Sequence, residues 1–167
     1  MRRSVIVLTL TAVAAAAGLA RPGSVAAGRH GKGGGHIVFT PAVIEWKAGP
    51  AALPPGAKMA VLEGDPAKKG LFTARFWLPA DYKVMPHWHP AHERVTVISG
   101  VFLMGKGDKF DAEALKELPA GSFSVMPPKT PHFAMTKGET VIQLNVMGPW
   151  GITYVNTADD PRKAKKP

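Results

Sequence analysis

The chain has 167 residues, 46% of them hydrophobic, with 18 glycines, 16 prolines and no cysteine. That length suits one domain with a real core and is too short for two ordinary ones. The lack of cysteine excludes disulfides, thiolate metal sites and cysteine nucleophiles, leaving imidazole and carboxylate as ligands, and the formal charge of +9 marks a basic protein.

In chain order, "MRRSVIVLTLTAVAAAAGLARPGSVAAG" places Arg2 and Arg3 ahead of an apolar run from Val5 to about Ala17 and then small residues. This is the layout of a secretory signal peptide over 1–27, with cleavage after Ala26 or Ala27. The apolar run is shorter than the ~20 residues a spanning helix needs, so no stable membrane anchor is expected after cleavage and the expected location is periplasmic or secreted. Removing 1–27 takes away three arginines and no acid, leaving 18 basic against 12 acidic residues, a net +6. Residues 28–36, "GRHGKGGGH", read as a flexible lead-in, too glycine-rich to fold.

From His36 onwards short apolar runs alternate with turn residues. "HIVFT", "VIEWK", "KMAVLEG", "LFTARFWLP", "VMPHWH", "ERVTVIS", "VFLMGKG", "SFSVMP", "HFAMT", "TVIQLNVM" and "GITYV" are the predicted strands. Gly- and Pro-rich stretches such as "GPAALPPG", "GDPAKKG" and "PPKTP" separate them. This spacing predicts an all-β antiparallel sandwich or small barrel over 37–156. "FDAEALKEL", Phe110 to Leu118, is the one predicted short helical turn. The terminal "DDPRKAKKP" holds Arg162, Lys163, Lys165 and Lys166 and reads as a solvated basic tail within 157–167, with no nucleic-acid role expected.

"MPHWHPAHERVTVISG", Met85 to Gly100, concentrates the chemistry. In a strand, His87 and His89 point to one face with Cα atoms roughly 6.6 Å apart, close enough for both imidazoles to reach one ion. An unbroken strand would carry Glu93 another ~13 Å away, so the chain must turn, and Pro90 with Ala91 supplies the bend. "ERVTVIS" then runs back with Glu93, Val95 and Val97 on one face, letting Glu93 approach the histidines from the neighbouring strand. His92 has the opposite parity and is expected outside the site. A lone strand histidine is more often a core residue than a ligand, but His132 in "GSFSVMPPKTPHFAMT" would complete a trio that lacks a fourth member. The expected pocket wall is apolar, drawn from Met85, Val95, Val97, Met126, Phe76, Phe133, Met147 and Trp150.

These stretches resemble the two motifs of the cupin superfamily, in its small, single-domain, exported bacterial form. G-x5-H-x-H-x3-4-E-x6-G is met by His87, His89, Glu93 and Gly100, with Asp81 in place of the leading glycine. G-x5-P-x-G-x2-H-x3-N is met by Gly121, Pro127 and His132, with Lys129 replacing the internal glycine and Thr136 the asparagine. The resemblance spans roughly Lys58 to Tyr154. It implies a jelly-roll-like conical barrel with one divalent transition metal (Fe, Mn, Ni, Cu or Zn) held by His87, His89, Glu93 and His132. Three imidazoles and one carboxylate suit such ions and suit Ca or Mg poorly. An octahedral ion would keep two positions open, and Glu93 is the candidate general base. The expected function is an exported metal-binding cupin, a small-molecule enzyme of dioxygenase type. A non-catalytic cupin binding metal or a small ligand is the competing class, and a homodimer through edge strands is compatible with either.

Overall fold

The computed structural model describes residues 35–163. The predicted signal peptide, nearly all of the lead-in and residues 164–167 lie outside the described residues. Among the described residues, eleven antiparallel strands form two facing sheets. One sheet holds, in spatial order, β1 (Lys47–Ala48), β2 (Lys58–Glu63), β3 (Gly70–Leu78), β10 (Thr140–Gly148), β5 (Glu93–Ser99) and β8 (Phe123–Met126). The other holds β11 (Thr153–Tyr154), β4 (Lys83–Trp88), β9 (His132–Thr136), β6 (Val101–Lys106) and β7 (Lys116–Pro119). The all-β sandwich predicted from the turn spacing is the observed architecture.

The core lies between the sheets because period-2 patterning gives each strand one apolar face. On β3 the inward residues are Phe72, Ala74, Phe76 and Leu78, and on β10 they are Thr140, Ile142, Leu144 and Val146. The two strands pair along their whole length, setting Phe76 beside Ile142, small Ala74 beside Leu144, and Phe72 beside Val146. Each fully buried Phe or Leu of this set contributes about 1.5–3 kcal/mol of transfer free energy.

Several local expectations give way to the tertiary fold. "HIVFT" is not a strand: Ile37 and Val38 are 60% and 63% exposed, and without a partner ladder β-branched residues have nothing to pack against. "VIEWK" contributes only the two-residue β1, after a 3-10 turn at Pro41–Val43. Within Phe110–Leu118 the turn at Ala112–Leu115 forms, but the C-terminal half is β7, paired along β6 from Val101↔Pro119 to Met104↔Lys116. Phe110 covers the ring of Phe133 at 5.1 Å between centroids, so this segment shields the outer face of β9. Within the stretch read as a tail, Arg162 is paired with Asp160 and donates to the Ile152 carbonyl.

From β3 onwards the chain repeatedly changes sheets, and Gly100 makes the tightest change. It alone separates β5 from β6, with φ +77°, and a Cβ there would lie 2.4 Å from the Glu139 carbonyl oxygen. Asp81 and Lys129 stand where the two cupin motifs have glycine, and among the described residues they are the non-glycine residues with positive φ, 55° each. The backbone has kept the left-handed conformation that glycine takes easily. Thr136, which replaces the motif asparagine, is fully buried, and its Oγ1 donates to the Pro79 carbonyl at 2.6 Å while accepting from the Tyr82 amide at 2.9 Å.

Two predictions follow from these replaced positions. Thr136→Val should lower the unfolding free energy by about 1–3 kcal/mol, because it strands the Tyr82 amide and the Pro79 carbonyl, whereas Thr136→Ser should keep most of it. Lys129→Gly should leave the thermal midpoint unchanged or raise it and Lys129→Val should lower it. Urea and thermal melts decide both, and equal behaviour of Gly and Val at 129 would contradict the assigned backbone.

Candidate metal centre

His87, His89, Glu93 and His132 meet at one end of the inter-sheet space and are 5%, 2%, 7% and 1% exposed. His87 sits directly opposite His132 where β4 pairs with β9. The β4–β9 register shifts between Val84↔Ala134 and His87↔His132, so three steps on β4 match two on β9. That bulge changes the facing parity, which is why Val84 and His87 both face the cavity while Met85 does not. Pro86, with no amide to donate, suits the interrupted ladder.

The bend at Pro90 and Ala91 exists, but its role differs from the one expected. β4 and β5 do not pair; they belong to opposite sheets. The bend carries the chain across the sandwich, so Glu93 faces the histidines from the opposing wall. The Lys129 amide donates to the His89 carbonyl at 2.8 Å and ties this crossing to the turn before β9. His92 is exposed, as its parity predicts.

Each imidazole is fixed through Nδ1. His87 Nδ1 lies 2.7 Å from the Met85 carbonyl, His89 Nδ1 2.8 Å from that of Gly151, and His132 Nδ1 2.9 Å from that of Thr130. A carbonyl can only accept, so each Nδ1 carries a proton and each ring turns its Nε2 inward. The three rings can each offer a nitrogen to a shared ion, with those atoms all within 4.8 Å of one another. Glu93 faces them: Oε1 is 3.2 Å from His89 Nε2 and Oε2 is 3.3 Å from His132 Nε2. Neither of those buried Nε2 atoms has a hydrogen-bond partner. Acceptors are set against acceptors, an arrangement that a cation between them resolves. The residues present therefore fit a bound metal ion.

Burial, reinforced by His132 and His89, pushes the His87 pKa down to about 3. Burial also lowers that of His89, against the opposing pull of Glu93. For Glu93 burial acts upward, but the surrounding His89, His132 and His87 outweigh it and hold the carboxyl at about 2. His87, His89 and Glu93 are thus kept in the protonation states that ligate metals.

The cavity beside these groups measures about 450 Å³ including its mouth. Of the expected wall, Phe76, Val95 and Trp150 line it. Met147 does not: β10 turns Ile142, Leu144 and Val146 inward, leaving Met147 51% exposed. Phe133 is buried on the outer side of β9, under Gly105 and Phe110, because His132 and Ala134 take the inner side. Sequence reasoning passed over Leu53, which reaches the cavity from the proline-rich loop before β2. Tyr82 and Tyr154 hold that loop by donating to the Pro54 and Ala52 carbonyls. It also passed over the Gly151 carbonyl, since a backbone acceptor leaves no mark on side-chain pattern.

The two depressed pKa values fix the sign of an acid effect on the metal-free protein. His87 titrates near 3 when folded against 6.5 for a free imidazole, so between those values the unfolded chain binds a proton that the folded one refuses. Its stabilising contribution is complete above about 6.5 and is lost as pH falls; Glu93, depressed from 4.5 to about 2, acts in the same direction at lower pH. The unfolding free energy of metal-stripped protein, from urea melts, should therefore fall between pH 7 and pH 4, by up to ~1.4 kcal/mol per pH unit for each proton concerned. His87→Gln should flatten that slope, and a midpoint independent of pH would contradict the buried, neutral cluster.

Over residues 36–153 the chain matches the family described as domain of unknown function DUF4437. No curated protein matches it. Among solved structures it is similar to the polyketide cyclase RemF of Streptomyces resistomycificus, with TM-score 0.61 and 15% identity over 77% of this chain and 91% of that one. A candidate acetylacetone dioxygenase from Methylibium petroleiphilum aligns with TM-score 0.57 and 20% identity, covering 76% of this chain and 85% of its own. An RmlC-like cupin from Shewanella frigidimarina gives TM-score 0.52 and 18% identity over 68% and 90%. At these identities the likeness is one of fold. With the motif residues placed as described, the chain has the cupin fold and belongs to the DUF4437 family.

Proposed function

We propose that this protein is an exported metalloprotein that holds one divalent transition metal (Fe, Mn, Ni, Cu or Zn) on His87, His89, Glu93 and His132, and that it acts on a small molecule as an enzyme of dioxygenase type. The observation that carries the reading is the set of inward Nε2 lone pairs facing the Glu93 carboxylate in a buried site. Export rests on the charge and hydropathy layout of residues 1–27. When bound, such an ion supplies Lewis acidity and, for a redox-active metal, one-electron chemistry toward O₂.

The chain's own groups have separable tasks. His87, His89 and His132 hold the ion through Nε2, and their Nδ1 bonds to backbone carbonyls keep the rings from turning. Glu93 adds the negative charge, and either oxygen can take a proton from an acidic C–H or O–H of a substrate in the cavity. The apolar wall, including Phe76, Val95, Met104 and Leu144, keeps bulk water away and strengthens every charge interaction inside. A second reading, a non-catalytic binder of metal or a small ligand, is favoured by the lack of any acid or base in that wall besides Glu93 and the three imidazoles.

Elemental analysis of the mature protein should find about one equivalent of transition metal, and His87→Ala/His132→Ala should lose it. Glu93→Gln, which keeps the shape, should retain the fold by circular dichroism and bind metal more weakly. Oxygen uptake with acetylacetone and other compact β-dicarbonyls then separates the two readings: uptake supports the enzyme, and full metal content with no uptake across that series favours the binder. No metal in the wild type, even after reconstitution, would overturn the metal site and the enzyme reading and leave only a binder of a small ligand.

A further inference from the structure

Trp150 carries an unexplained polar atom. Its Nε1 is buried with no hydrogen-bond partner, although a buried indole N–H normally finds one. The ring lies parallel to His89, 14° between planes and 5.6 Å between centroids, and packs against Phe76 at 5.6 Å and edge-on against Phe72 at 6.5 Å. Its backbone amide donates to the Pro66 carbonyl at 2.7 Å, and the next residue, Gly151, supplies the carbonyl that fixes His89. One short segment thus sets both a candidate ligand and the indole beside it. Outside the His and Glu side chains, every residue of the cavity wall except Trp150 is apolar, so the wall has no other side-chain donor to offer a ligand.

We propose that Trp150 is a positioning residue whose Nε1–H hydrogen-bonds to an oxygen of the small molecule bound at the metal site. The inference rests on the metal-centre reading and sharpens it by naming the ligand class. The cavity is about 450 Å³ including its mouth, and apart from the His and Glu cluster the indole is the one polar side chain it presents. A molecule with two neighbouring oxygens can satisfy both groups, one oxygen toward the metal and one accepting from the indole: a small carboxylate, hydroxamate or enolised dicarbonyl.

The test uses Zn-loaded full-length mature protein and two probes, acetohydroxamate and imidazole. Acetohydroxamate brings two oxygen acceptors, whereas imidazole binds a metal through one nitrogen and presents a donor at its far end. With indole-¹⁵N labelling, the Trp150 resonance, assigned through Trp150→Phe, should move downfield on adding acetohydroxamate, while those of Trp46, Trp77 and Trp88 stay in place. By calorimetry, Trp150→Phe should take up Zn as the wild type does and bind acetohydroxamate about ten- to a hundred-fold more weakly, with imidazole affinity unchanged. A merely structural role would weaken both probes alike, and that result, or an unmoved indole resonance, would overturn the inference while leaving the metal centre intact. Failure of the wild type to take up Zn would overturn the metal-centre reading and this inference with it.

Discussion

Inside the apolar barrel, acceptor atoms of two imidazoles are pressed against a carboxylate at 3.2 and 3.3 Å. Groups so buried ordinarily hydrogen-bond to one another or change protonation state. Each Nδ1 proton is committed to a backbone carbonyl, and burial disfavours a second proton on His89. The mutual repulsion of these lone pairs is the constraint around which the end of the sandwich is built, and a cation is what converts it into cohesion.

The backbone irregularities gather around that cluster. The β4 bulge at Met85 and Pro86 turns His87 inward out of strict alternation, and the Pro90 bend passes the chain to the opposite sheet so that Glu93 faces the rings. The left-handed Lys129 brings its amide onto the His89 carbonyl, and the Trp150–Gly151 segment closes over His89 from a third direction. Regular strands elsewhere, above all the full-length β3–β10 pair, supply the burial that makes these departures tolerable.

Much of this was legible in the sequence, for identifiable reasons. Strand periodicity marks an inward face, and it correctly sent Glu93, Val95 and Val97 inward and His92 outward. Histidine spacing marks chemistry because few other roles need imidazoles so close together. What stayed hidden depends on pairing. The sequence does not mark β4 and β5 as belonging to different sheets, because a proline bend closes a hairpin and crosses a sandwich equally well. Phe133 and Met147 were misjudged because apolar character says that a residue is buried or near the core, whereas the side it takes is set by its strand neighbours: His132 and Ala134 for one, Val146 for the other.

The His89–Gly151 hydrogen bond, which joins residues 62 positions apart, also orders events in time. A growing or unfolded chain already offers the His87-x-His89 pair, but with freely rotating rings and either tautomer, so it would take any ion that likes imidazole. Fixed tautomers, the opposing carboxylate and the apolar wall arise together only once the final strands have docked. Any preference of the proposed site among metals would therefore arise only when those last strands dock.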